Sequence, residues 1–376
     1  MINISFAIGA LHRGGAETLL LNIFKSRIPD DFSVNLIHRK DGPLKNEFKV
    51  TNKNIFHLPV GKNYFTYLIR LRRILIKNNI QIIHAHQPID VIYAKIASLG
   101  LDIKILLTLH GFNNLFTTEI ARFILKKSLN LTNKNIYVSD FLRTYYTSKY
   151  NLNKYNQVVI YNGISFTNRI SPNKIAVYKI RNELKIGKDV LLLGTVGNFN
   201  EVRNHYFICK FINLLKQSNI NFHFVFIGAK VNYAPHLYDN CIDYCIQNNL
   251  NQQVSFLGAM TNIQTLLPQL DAFIYSSKQD TFGMAVVEAI AEGVPVFVND
   301  WEVMLEINNN KNLMTIFKTN DELDLLNKFK KYIENKSVFI DNAKKASEFV
   351  RMNFSIDKHI LELGKLYKSI LNVEPK

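Results

Sequence analysis

Apolar and polar positions along the chain follow two alternating patterns. Short apolar runs, most of them closed by a glycine, histidine, asparagine or serine, alternate with longer segments whose apolar residues recur every three or four positions. The first pattern is that of buried strands and the second that of amphipathic helices. In the first half the runs predict strands at 2–8, 32–39, 55–58, 80–85, 103–109, 135–138 and 158–161. Between them lie predicted helices at 16–24, 63–79, 90–99, 118–131 and 140–150. The second half restarts the alternation, with strands at 190–196, 222–227, 254–257 and 271–276 and helices from about 205, at 239–248 and at 263–267. Residues 280–300, DTFGMAVVEAIAEGVPVFVND, read as a turn, a helix, a break at Gly293 and Pro295, and a buried strand. Helices at 323–334, 338–352 and 356–371 complete the chain.

Strands alternating with helices imply parallel sheets covered on both faces. Two such series imply an α/β fold with two doubly wound, Rossmann-like domains facing across a cleft. The polar stretch after Asn162-Gly163, which contains Pro172, marks the boundary. The expected domains are 1–170, 171–355, and a terminal helix at 356–376 returning to the first domain.

In such sheets ligands sit outside the carboxyl ends of strands, where helices begin, so residues at those ends are the candidates. Gly9, Gly14 and Gly15 follow the first strand and let backbone approach a phosphate or sugar. Gly15-Ala16 stands where a P-loop requires Lys-Ser/Thr, and a plain strand-to-helix turn is the simpler alternative. His84 and His86 end one strand; His110, before Gly111, ends the next. Structural packing is the ordinary use of such histidines, and His110 is the best placed for a reaction centre. In the second half, Asn198 and Arg203 flank the loop before a helix, where an arginine suits a diphosphate. Gly194 and Gly197 do not amount to a dinucleotide fingerprint. Within 280–300, Asp280 lies in the loop and Glu288 on the helix. A carboxylate there can accept from two sugar hydroxyls, and the helix start offers amides to a phosphate. The chain contains no D-x-D pair, which points away from a metal-bound nucleotide sugar.

Composition narrows the options. Apolar residues make up 47% of 376, enough for two cores and unlike a disordered chain. Three cysteines, Cys209, Cys241 and Cys245, have no zinc or disulfide spacing and suit buried thiols in a reducing compartment. The N-terminus lacks the features of a signal peptide, and no run approaches ~20 apolar residues. The expectation is therefore a cytoplasmic protein, peripheral on the inner face of the cytoplasmic membrane. The net charge of +16 is uneven: residues 1–170 carry 23 Lys and Arg against 9 Asp and Glu, leaving only +2 for the rest. A one-sided basic excess suits an anionic partner such as a membrane, a phosphorylated substrate or nucleic acid. Helix 63–79, with Arg70, Arg72, Arg73 and Lys77 beside Tyr64, Leu68 and Leu75, suits an anionic membrane surface or, more simply, a packing helix with a solvated basic side. Basic and aromatic residues form no recognisable nucleic-acid motif, so nucleic acid is not expected as a partner.

HRGGAE, TLHGF, VIYNGI, VGNFNEVRNH and the 280–300 segment occur in this order, each at a predicted sheet edge. Together they resemble the GT-B glycosyltransferases grouped as glycosyltransferase family 4, and the likeness covers almost the whole chain. The 280–300 segment is similar to that family's E-x7-E element. The resemblance implies a metal-independent enzyme, needing no cofactor, that moves a sugar with retention from a UDP- or GDP-linked donor. The implied acceptor is a lipid-linked or polysaccharide glycan, in the synthesis of capsule, lipopolysaccharide or another bacterial surface polysaccharide. It implies Glu288 on the ribose and Asp280 near the donor sugar. Phe282, Gly283 and Met284 would offer amides to sugar and diphosphate, Gly15 would approach the phosphate, and His110 would line the reaction centre. Three departures stand out: Asp280 for Glu, Arg203 where the family usually has Lys, and Asn198 where it usually has Arg. Alternatives are a nucleotide-sugar epimerase of the same fold, an inactive relative, or a basic nucleic-acid-binding protein.

Overall fold

A computed structural model describes residues 1–51, 53–112, 118–166, 180–260, 263–309 and 311–373. The expected domain boundary at 170/171, with Pro172, lies outside the described residues. The chain divides into two units, Met1–Ser165 with Phe354–Lys376, and Phe166–Asn353.

In chain order the first unit contains β1 (Ile2–Ala10), α1 (Gly15–Lys25), β2 (Phe32–Lys40), α2 (Lys45–Lys49), β3 (Asn54–His57), α3 (Tyr64–Lys77) and β4 (Ile82–Ala85). It continues with α4 (Pro88–Ala97), β5 (Lys104–Leu109), α5 (Glu119–Leu131), β6 (Lys134–Tyr137), α6 (Asp140–Tyr150) and β7 (Gln157–Val159). The second unit runs through α7 (Ile180–Glu183), β8 (Leu191–Val196), α8 (His205–Gln217), β9 (Phe222–Ile227), α9 (His236–Gln247), β10 (Val254–Phe256), α10 (Ile263–Leu266) and β11 (Ala272–Tyr275). It ends with α11 (Met284–Ala291), β12 (Val296–Asn299), α12 (Glu302–Asn308), β13 (Thr315–Phe317), α13 (Glu322–Glu334) and α14 (Lys336–Asn353). The last helix, α15 (Ile356–Ile370), belongs to the first unit.

Both sheets are parallel throughout. The first has the order β3-β2-β1-β4-β5-β6-β7 and the second β10-β9-β8-β11-β12-β13. Each order reverses direction once, between β1 and β4 and between β8 and β11. That reversal separates neighbouring connections and opens a crevice at the carboxyl ends, the usual ligand position in doubly wound sheets. Central strands read as unbroken apolar runs because both faces are covered: Leu192 and Leu193 of β8 and all of β11 are buried.

Periodicity placed most elements to within two residues. Helix α4 begins at Pro88, earlier than expected at 90, because proline fits the first helical position. Helix α9 likewise begins three residues early, just after Pro235. Helix α12 and strand β13 were not anticipated, being too short to show a period. The three cysteines are free and buried, Cys209 on α8 and the other two on α9.

Helix α15 packs into the core of the first unit through Ile356, Ile360, Leu363 and Tyr367. Its polar groups reach the sheet edge: Tyr367 OH meets His84 Nδ1 at 2.6 Å, and His359 Nδ1 meets the Tyr161 carbonyl at 2.7 Å. No helix among the described residues is long and apolar enough to cross a membrane.

Candidate functional site

The second unit's crevice is built around Asp280. Five donors converge on its carboxylate. Arg203 Nη1 (2.8 Å) and Tyr275 OH (2.5 Å) donate to Oδ2. The amides of Thr281 (2.8 Å), Phe282 (3.3 Å) and Gly283 (3.0 Å) donate to Oδ1. Burial alone would raise this carboxyl's pKa; the Arg203 charge and the Tyr275 hydrogen bond outweigh it and hold the group below its usual range. Arg203 Nη1 also donates to Ser277 Oγ (3.1 Å), and its guanidinium lies 4.8 Å from the Tyr275 ring centroid. Around this pair, Asn299 clasps the Ser277 backbone, with Ser277 N to Asn299 Oδ1 at 2.9 Å and Asn299 Nδ2 to Ser277 O at 2.9 Å. Trp301 Nε1 donates to the Asp280 carbonyl at 2.9 Å.

This closed loop sets the start of α11. Gly283 caps the helix with φ +77, and a Cβ there would meet Met304 Cε at 2.4 Å, so only glycine fits. Because Asp280 takes the amides of Phe282 and Gly283, those two do not point outward to a ligand. The next two amides, Met284 and Ala285, have no partner among the described residues. They form the positive end of the α11 dipole, a place for an anion. Four residues on, and so on the same helical face, is Glu288. Its half-buried carboxylate has no hydrogen-bond partner among the described residues. Burial, and then the Glu292 charge, raise its pKa to about 7.

Asn198 is exposed in the loop after β8, with Oδ1 accepting from Ala229 N at 2.9 Å. The same loop is pinned by His205, whose Nε2 lies 3.0 Å from the Gly197 carbonyl. Asp280, Arg203, Phe282 and Gly283 thus form one network, with Met284 and Glu288 on the helix it starts.

The first unit holds the other expected residues. Gly15 is the first residue of α1, with open space where a Cβ would stand. His110, just after β5, stacks on His86 at 5.0 Å, and His86 stacks on His84 at 4.7 Å. His86 Nδ1 and His110 Nε2 are 2.7 Å apart, and His84 Nε2 meets Thr108 Oγ1 at 2.6 Å. Burial, followed by neighbouring imidazoles, pushes His84 and His110 down to about 3 and His86 well below its usual value. All three rings are therefore neutral near pH 7. They can exchange hydrogen bonds with uncharged hydroxyls but carry no cationic charge there.

Sequence reasoning did not single out Tyr275, Ser277, Asn299 or Trp301. The only signal was position: Tyr275 ends a strand, and Trp301 is the sole tryptophan, one residue past the 280–300 segment.

Comparison with known proteins gives the class. The model described as Glycosyltransferase Family 4 matches residues 13–167, and that described as Glycosyl transferases group 1 matches 177–350. The chain is 26% identical over 310 residues, 78% of each chain, to the Bacillus subtilis protein named "Putative glycosyltransferase EpsF". It is 23% identical to the O-antigen biosynthesis glycosyltransferase WbnH of Escherichia coli over 378 aligned residues, 99% of each chain. The crystal structure of Anabaena HepE in complex with UDP and glucose superposes with a TM-score of 0.83 at 17% identity, covering 98% of this chain and all of HepE. That likeness shows the GT-B fold. The chain belongs to the family 4 glycosyltransferases and is an enzyme that transfers glycosyl groups.

Glu288 carries a stability prediction. The folded state holds its proton more tightly than the unfolded chain, whose value is near 4.5. The desolvated carboxylate therefore lowers stability progressively as pH rises from about 4.5 through 7, with the full penalty at pH 8. Glu288→Gln should stabilise the unliganded protein at pH 8 by up to about 3 kcal/mol and leave it unchanged near pH 4. Urea denaturation at both pH values checks this; a difference independent of pH would contradict it.

Proposed function

We propose that the protein transfers a sugar from a nucleoside diphosphate sugar to a lipid-linked or polysaccharide acceptor, with retention, in building a bacterial surface polysaccharide. The observation that carries the donor assignment is the Glu288 carboxylate one helical turn beyond the Met284 and Ala285 amides, all three unpaired among the described residues. A carboxylate accepts from two vicinal ribose hydroxyls. Helix N-terminal amides donate to phosphate oxygens, with the helix dipole contributing on the order of 0.3–2 kcal/mol. A UDP-linked donor is favoured over GDP because HepE was crystallised with UDP and glucose. WbnH, named for O-antigen biosynthesis, supports the surface-polysaccharide acceptor.

Asp280 acts in this reading as a positioning residue. Its two oxygens are filled by protein donors, so it fixes Arg203 and the loop instead of grasping the sugar. Arg203 then supplies a positive group, screened by Asp280, to the charge that builds on the departing diphosphate. The anomeric C–O bond to the diphosphate breaks, and a bond to the acceptor oxygen forms on the same face. The acceptor proton goes to the leaving phosphate oxygen. The neutral His110 imidazole exchanges a hydrogen bond with a sugar hydroxyl and takes no net proton. No cofactor or metal enters these steps, which matches the missing D-x-D pair.

The acceptor reading includes an anionic membrane face. Helix α4 packs against both α3 and α5. On this layer Tyr64, Phe65 and Ile69 of α3 and Ile120 and Phe123 of α5 are exposed. Arg70, Arg73, Lys77, Arg122, Lys126 and Lys127 are exposed on the same two helices. Exposed aromatic groups among lysines and arginines suit a headgroup region, the aromatic rings entering the interface and the cations meeting lipid phosphates.

Two measurements test these assignments. Calorimetry with a panel of UDP- and GDP-sugars, whose diphosphates do not titrate near neutrality, should give dissociation constants about tenfold higher at pH 6 than at pH 8, because Glu288 must be ionised. Glu288→Gln should bind more weakly at pH 8 and lose that pH dependence; unchanged binding would refute the ribose assignment. In flotation assays the protein should rise with phosphatidylglycerol vesicles and not with phosphatidylcholine. Arg70→Glu with Arg73→Glu should abolish flotation, and equal recovery on both lipids would remove the electrostatic part.

A further inference from the structure

One cluster in the first unit takes no part in the donor chemistry. His38 of β2 and His57 of β3 are register partners in the parallel ladder, so their side chains leave the sheet side by side. Their rings stack at 4.9 Å with an interplanar angle of 8°. Asp41, in the turn after β2, faces both: His38 Nδ1 lies 3.8 Å from Oδ1 and His57 Nδ1 lies 3.9 Å from Oδ2. These gaps are too long for hydrogen bonds. Ligand atoms of a tetrahedral zinc with bonds of about 2.0–2.1 Å lie about 3.3–3.4 Å apart, so the exposed His57 and Asp41 side chains must close inward by roughly 0.5–1.5 Å to hold one ion. The three ligand atoms all lie within 4.8 Å of one another.

The frame is rigid where it needs to be. His38 is 2% exposed and anchored in the strand. The turn carrying Asp41 is pressed against the end of β1: Leu44 N donates to the Leu11 carbonyl at 3.1 Å, and a Cβ on Gly42 would stand 2.2 Å from that same oxygen. Glycine there lets the turn approach, which brings Asp41 beneath the two rings. His57 and Asp41 are partly exposed, which leaves a coordination position for water.

We propose that His38, Asp41 and His57 bind one divalent transition-metal ion of the zinc class, tying the β2–β3 edge together. Two imidazoles and one carboxylate select such an ion over magnesium or calcium, which prefer all-oxygen sites. Without the ion, Lys45 Nζ stands at Asp41 Oδ2 at 2.5 Å and neutralises the carboxylate. The ion displaces this exposed ammonium. His38 Nδ1 lies 3.2 Å from the Lys40 carbonyl. Its proton moves to Nε2 when Nδ1 becomes a ligand, and the Lys40 carbonyl then lies beside the ion. The site is structural and separate from sugar transfer, so its failure and that of the donor assignment are independent.

The test uses chelator-treated full-length protein and cobalt(II) as a spectroscopic probe. One equivalent should produce the visible absorption of a tetrahedral or five-coordinate nitrogen and oxygen site, and zinc should bleach it. Zinc should raise the melting temperature of the wild type. His57→Ala and Asp41→Asn, both at partly exposed positions, should lose the absorption and the zinc-dependent shift while keeping the melting temperature of the metal-free protein. Lys45→Ala should bind zinc more tightly by removing the competing ammonium. Absence of the absorption in the wild type, or its persistence in both ligand variants, would overturn the proposal.

Discussion

The second unit's crevice depends on where the Asp280 carboxylate points. Both oxygens are turned inward and satisfied by five protein donors. This one group ties the end of β11, through Tyr275, to the loop before α8, through Arg203, and to the start of α11, through three amides. Breaking a largely buried pair of this kind is costly, up to about 3–5 kcal/mol when burial is complete, because the surviving partner keeps its charge and loses its compensation. The inward satisfaction of Asp280 has an outward consequence. The loop's amides are consumed, the chain turns through Gly283, and the first donors unpaired among the described residues belong to Met284 and Ala285 at the tip of the helix.

The groups left unsatisfied form the counterpart. Glu288 is held in a partly desolvated position with no hydrogen-bond partner among the described residues, and its neutral form is favoured as a result. Folding a carboxylate into such a place makes sense when a ligand completes its hydrogen bonds. In the first unit the histidine stack follows a different logic: burial keeps its members neutral, with His84 bonded to the uncharged hydroxyls of Thr108 and Tyr367 and His86 bonded to His110. One unit therefore presents an anion-accepting helix end beside a carboxylate, and the other holds a neutral, largely buried imidazole stack.

Much of the fold was legible because parallel strands covered on both faces leave apolar runs, and the helices between them repeat with a period near 3.6. Helix α6 was read at its observed limits, Asp140–Tyr150, since Ser139 caps it and Asn151 ends it in a left-handed conformation. The order of motifs at sheet edges placed Glu288 on α11 for the same reason: a helix start follows an apolar strand. The engagement of Asp280 was not legible. Arg203 and Asp280 are 77 residues apart, and nothing in local periodicity states that one will fill the other. Nor could it be read that Phe282 and Gly283 would spend their amides on Asp280, because that depends on the left-handed turn at Gly283. Strand β13 and helix α12 were missed because three or seven residues do not establish a period. Tyr367, eight residues after His359 on the same helix, gave no sign that its hydroxyl would reach His84.

In the donor site proposed above, the α11 helix start and Glu288 together hold the nucleotide. Residue-resolved amide hydrogen exchange with saturating UDP measures this directly. Strong protection is expected at Met284 and Ala285, little change at Phe282 and Gly283, whose amides already bond to Asp280, and loss of the protection in Glu288→Gln at the same ligand concentration. Bound UDP that leaves the Met284 and Ala285 amides exchanging as in the free protein would contradict it.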